Sequence, residues 1–189
     1  MARAHLIGAY GMFWDRHEVS WRPGSGPAAW QLLGHVNRVK PKVRVCDFRK
    51  AQGFYILFDD FRANYVGLAR GRHGIGARLR THNQSAQRRP WNRFCFFTFD
   101  DVVDDRSLPG WSKIKPREAL RNMSADLVLR ECEALLITVL GSDAQNQMNF
   151  QHAQRWEQLR ESDFLPGGIA ARVAADGYTD PRLLGLARA

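Results

Sequence analysis

Two tyrosines ten residues apart, an arginine and a histidine four apart, and a glutamate in an apolar helical pattern could carry out chemistry in this chain. Gly53-Phe54-Tyr55 opens one β-rich run and Tyr65-Val66-Gly67 lies in the next. A phenol with an ordinary pKa of about 10 can handle a proton once a neighbouring cation lowers that value. Arg78 and His82 project from one face if they lie on a helix. Glu133, in Glu133-Ala134-Leu135-Leu136-Ile137, is a carboxylate beside an apolar stripe, which needs a partner or a metal. Glu131 has similar surroundings, and helical geometry does not separate the two. An Asn/Gln-rich stretch holding Asn146 and Asn149 follows.

The charge distribution points to a polyanion. Residues 36–93 hold fourteen Lys/Arg against Asp47, Asp59 and Asp60, a net of +11, while residues 94–189 net −3. Such asymmetry favours a polyanion partner, nucleic acid first. A solvated Arg-rich surface is the bland alternative.

The elements that must position these residues follow from periodicity. Phe54–Phe58 and Asn64–Leu68 read as an antiparallel hairpin, and Phe94–Phe99 as a buried third strand. Gly71, Gly74 and Gly76 mark a loop before a helix from Ala77 to about Asn83. Two short strands are expected in residues 5–21 and a short helix at Ala28–His35. Residues 100–115 read as a surface excursion. Ser124–Leu140 is the strongest helical pattern, and Ala153–Arg160 a further helix. The flanking tryptophans Trp14, Trp21, Trp30 and Trp156 could form core or bury a homodimer interface.

The ordered set resembles the GIY-YIG nuclease superfamily over about residues 50–150. Gly53-Phe54-Tyr55 matches its first triplet, Tyr65-Val66-Gly67 its second, and Arg78 and His82 its arginine and histidine. Glu133 matches its Glu-x-x-Leu-Ile helix and Asn146 its late asparagine. The resemblance implies an α+β fold, a small, mainly antiparallel three-stranded sheet flanked by helices. Residues 1–49 and 151–189 would then be N- and C-terminal extensions of a 50–150 nuclease domain. It implies hydrolysis of DNA phosphodiesters at a single Mg²⁺ or Mn²⁺ held by Glu133, with Arg78 on the scissile phosphate. Tyr55 and Tyr65 would bind or activate the attacking water, His82 would position phosphate or relay a proton, and Asn146 would hydrogen-bond within the site. Phe54 replaces the middle isoleucine of the first triplet, and Tyr65 and Arg78 are thirteen apart, which leaves Arg80 as a rival to Arg78. Arg70, Arg72, Arg80, Arg88, Arg89 and Arg93 would contact backbone phosphates. The rival readings are a catalytically silent nucleic-acid-binding module on the same fold and a protein-interaction domain with a basic surface.

Other classes are disfavoured. No P-loop, Rossmann glycine fingerprint, GxSxG or spaced His pair is present. The longest apolar stretch, Ala134–Leu140, is too short to span a bilayer, so no membrane partner is expected. The Leu6–Trp14 run lacks a small-residue cleavage site and reads as a strand. Cys46, Cys95 and Cys132 read as buried hydrophobes of a reducing, cytoplasmic compartment.

Overall fold

Alternating burial along Ala9–Asp15, with Ala9, Gly11 and Trp14 inward, makes this segment the first strand of a large sheet. The computed structural model describes residues 5–21, 30–36, 43–60, 62–69, 72–85, 90–107, 110–117, 131, 134–135, 153–160 and 163. Its strands are β1 (Ala9–Asp15), β2 (Leu33–Val36), β3 (Arg44–Asp47), β4 (Gly53–Phe58), β5 (Ala63–Ala69), β6 (Arg93–Thr98), β7 (Asp101–Asp104), β8 (Trp111–Lys115) and β9 (Gln154–Gln158). Helix α1 (Gly74–Gln84) joins β5 to β6.

These strands form one mixed nine-stranded sheet in the order β5-β4-β6-β1-β9-β2-β3-β8-β7. The expected small three-stranded sheet flanked by helices is therefore corrected. β5, β4 and β6 are antiparallel neighbours at one end of a mostly β molecule. Strands from residues 1–49 and from 154–158 continue the same sheet, β9 pairing parallel to β1 and antiparallel to β2.

Two helix expectations fail for one reason. Leu33–Val36 pairs with both β3 and β9, and residues 154–158 alternate in burial with a period of two, Trp156 and Gln158 inward. Each segment is short, so a few apolar residues fit a helical template while the actual partners lie far along the chain. Residues 101–104 and 111–115 are a β-hairpin at the sheet end, not a surface excursion. Residues 17–21 carry no second strand. The Ser124–Leu140 helix lies largely outside the described residues, of which Glu131, Ala134 and Leu135 are helical.

The sheet buries both faces. One face gathers Trp14, Trp30, Phe48, Tyr55, Leu57, Leu79, Trp91, Phe94, Phe96 and Trp156. The other holds Ile7, Ile56, Cys95, Phe97 and Ala134. Phe48, just past β3, has its ring centroid 4.8 Å from that of Phe96 on β6. Four strand spacings separate these strands, roughly 19 Å in a flat sheet, so the sheet curls strongly around this core. Trp14, Trp30 and Trp156 are core residues and Trp21 packs against them.

Helix α1 starts three residues earlier than its apolar pattern indicates. Gly74 takes φ +63°, and Cβ atoms at Gly74 and Gly76 would press on the backbone of Arg49 and Lys50. That close approach lets the Ile75 and Gly76 N–H groups donate to the carbonyls of Ala51 and Arg49, at 2.7 and 2.9 Å. The helix N-terminus is thus satisfied by the β3–β4 connection.

Candidate active site around Tyr55 and His82

Tyr55 on β4 lies directly across from Gly67 on β5. A Cβ at Gly67 would come within 2.2 Å of Tyr55 Cζ and 2.4 Å of its Oη. The last residue of the second triplet is therefore the floor on which the first triplet's tyrosine ring lies. Tyr65, two residues before Gly67, projects from the same face. Its ring stacks on Tyr55 with centroids 5.9 Å apart and planes inclined by 30°.

Helix α1 closes the cluster from above. Buried His82 places Nε2 3.0 Å from Tyr55 Oη, and its ring centroid is 4.5 Å from that of Tyr65. Tyr55 is 1% exposed and Tyr65 is 44% exposed. One phenol is sealed against the imidazole, and the other opens to solvent beside it.

Arg78, one turn before His82, is exposed on the same flank of α1. Arg80 is rotated about 200° around the helix from Arg78. Its guanidinium carbon lies 5.8 Å from the Trp30 ring centroid. The two arginines thus serve opposite flanks, with Arg80 packed on an aromatic ring.

Arg72 is exposed, and its Nε donates to His73 Nε2 at 3.2 Å. Arg93 is exposed at the start of β6, paired with Phe58, so it projects from the sheet face opposite Tyr55. Arg70, Arg88, Arg89, Glu133 and Asn146 lie outside the described residues. Glu131, the alternative glutamate, is buried on the face opposite the tyrosines and accepts a hydrogen bond from the Ile7 N–H at 3.3 Å. Ala134 and Leu135 pack on that same face.

One positioning residue left no signal in the sequence. Arg16 donates from Nε to Asn83 Oδ1 at 2.6 Å and from Nη1 to the Trp91 carbonyl at 3.0 Å, tying the last turn of α1 to the core. Sixty-seven residues separate Arg16 from Asn83, so no local pattern links them.

Among the described residues no three His, Cys, Asp or Glu side chains gather in a way that could hold a metal ion. Two phenols and an imidazole hydrogen-bonded to one of them are not the oxygen-rich set that Mg²⁺ takes. They do not fit a divalent-cation site by themselves. What they can do is exchange a proton and present a phenol to solvent, with Arg78 exposed one helical turn before His82.

No protein-family model, curated protein or solved structure matches this chain. Among the described residues no helix is long and apolar enough to cross a membrane.

Proposed function

We infer that the chain is an endonuclease that hydrolyses nucleic-acid phosphodiesters, DNA first, at the Tyr55–His82–Tyr65 cluster. The observation that carries this reading is the 3.0 Å contact between Tyr55 Oη and His82 Nε2, buried beneath the exposed Tyr65 ring. Tyr65 offers the phenol that solvent and substrate reach. The Tyr55–His82 pair behind it can take up the proton that an attacking water loses. Arg78, exposed on the same helix flank, would hold the phosphate and its transition-state charge. The leaving oxygen would take its proton from solvent. Mg²⁺ or Mn²⁺, with Glu133 as the ligand the resemblance implies, belongs to the same reading.

One observation favours a second reading, a silent nucleic-acid-binding module. Glu131, Ala134 and Leu135 pack on the face of the sheet opposite the tyrosines. Nicking of supercoiled plasmid, with Mg²⁺ or Mn²⁺ and with EDTA, separates the two. Cleavage by the wild type that Tyr55→Phe and His82→Ala abolish supports the nuclease. Retained DNA binding without cleavage by the wild type turns the reading to the binding module.

A further inference from the structure

Phe13 holds φ at +52°, in the left-handed region that bulky side chains avoid. It lies in a β-bulge: Gly11 pairs with Phe96 and Trp14 with Phe94, so Met12 and Phe13 together oppose Cys95. The bulge has a structural purpose. It turns Trp14 into the core, where its ring meets Phe96 at 4.9 Å and Phe94 at 5.9 Å between centroids. Nothing in that purpose requires a phenyl group at position 13. Glycine or asparagine adopts this conformation at lower cost, and the Phe13 side chain remains 47% exposed. The strain is spent on an aromatic ring held out to solvent from a rigid strand.

Its surroundings narrow what the ring could meet. Phe13 packs against Phe58 with centroids 5.2 Å apart and planes inclined by 59°. Phe58 pairs with Arg93, and Tyr10 pairs with Arg155, all on the face opposite the Tyr55 cluster. Both arginines are exposed, and Arg93 ends the +11 block of the sequence. Asp15 pairs with Arg93, and Glu157 follows Arg155 on the same face, so the sign of charge alternates here. Alternation disfavours a continuous phosphate track. It leaves an exposed phenyl ring tilted against a second one, with Arg93 directly across the strand pair from Phe58, the kinds of group that take one base and one phosphate.

We propose that Phe13, with Phe58 and Arg93, is a stacking platform for an unpaired base of a nucleic-acid strand. The platform lies across the sheet from Tyr55 and Tyr65, so it is a second contact, separate from the cleavage cluster. It rests on nucleic acid being the partner and not on the chemistry at Tyr55.

The test is anisotropy of a labelled single-stranded oligonucleotide and of its duplex, in EDTA, with the wild type, Phe13→Gly, Phe13→Leu and Arg93→Ala. Phe13→Gly relieves the backbone strain, so its thermal midpoint should equal or exceed that of the wild type. Its single-strand affinity should fall about tenfold while duplex affinity holds. Phe13→Leu should lose a similar factor, because an aliphatic side chain does not stack. Arg93→Ala should lessen the salt dependence of single-strand binding. Unchanged single-strand affinity in Phe13→Gly overturns the proposal, as does an equal loss for duplex and single strand. A change confined to the self-association of the protein also overturns it, in favour of a protein contact.

Discussion

The hydroxyl of Tyr55 lies 3.0 Å from Nε2 of His82, with both side chains buried and the two residues 27 positions apart in the chain. A strand and a helix meet at this contact, and neither segment alone would hold a phenol and an imidazole in register. A buried pair of this kind stays satisfied only while both partners remain. Its removal can therefore be read in stability as well as in activity.

Tyr55→Phe keeps the ring on Gly67 and deletes the hydroxyl. The expected outcome is a loss of about 1–2 kcal/mol in urea unfolding, because a buried imidazole nitrogen loses a partner. Plasmid nicking should fall by at least about 100-fold. Wild-type nicking by this variant would sink the assignment of the cluster.

Gly67→Ala drives a methyl group into the Tyr55 ring, whose Cζ lies 2.2 Å from the added carbon. Unfolding should become easier by roughly 1–3 kcal/mol, since Tyr55 is enclosed and cannot swing away without opening the core. The same variant should lose nicking activity even where it remains folded. Differential scanning calorimetry beside the plasmid assay reads both.

Arg78→Ala and Arg80→Ala should part company. The first removes an exposed guanidinium one helical turn from His82, so stability should stay within about 0.5 kcal/mol while nicking falls. The second removes the cation over Trp30 and should cost about 0.5–1 kcal/mol, with less effect on cleavage. The reverse pattern would move the phosphate contact to Arg80.

Burial pushes the Cys95 thiol up to about 12, and burial with the nearby Asp47 carboxylate pushes Cys46 up as well. Neither should react with maleimide at pH 8 in the native protein, and both should react in urea, as peptide mass spectrometry would read. The sign of the linked pH effect follows. The fold prefers the neutral thiol, so stability is complete below the unfolded value near 9 and falls as pH rises from there towards 12. The slope for Cys95 is about 1.4 kcal/mol per pH unit. Burial raises the Tyr10 phenol too, which adds the same sign. Urea midpoints at pH 8 and 10.5 for the wild type and Cys95→Ala should show the variant losing less.

Some of this was legible in residue order. The strands around Tyr55, Tyr65 and Phe94 were readable because each carries its own β-rich pattern and the first two are joined by a short turn. The buried character of Cys46 and Cys95 followed from their apolar neighbours. Helix α1 was visible from Ala77 onward, but its first turn was not. Gly74 and Gly76 look like loop residues until the β3–β4 connection is seen to lie against them.

The sequence by itself determined the local elements around the site and the residue types that could do chemistry there. Only the tertiary structure decided that β9 enters the sheet between β1 and β2, turning a presumed terminal helix into a central strand. Only it decided that Gly67 is a floor for Tyr55, that Arg78 and Arg80 serve opposite flanks, and that Glu131 faces away from the tyrosines. The physical reason is common to all of them. Hydrophobic periodicity reports that a face will be buried, but the partner that buries it comes from another element, as near in the chain as Gly67 to Tyr55 or as far as Trp156 from Trp14.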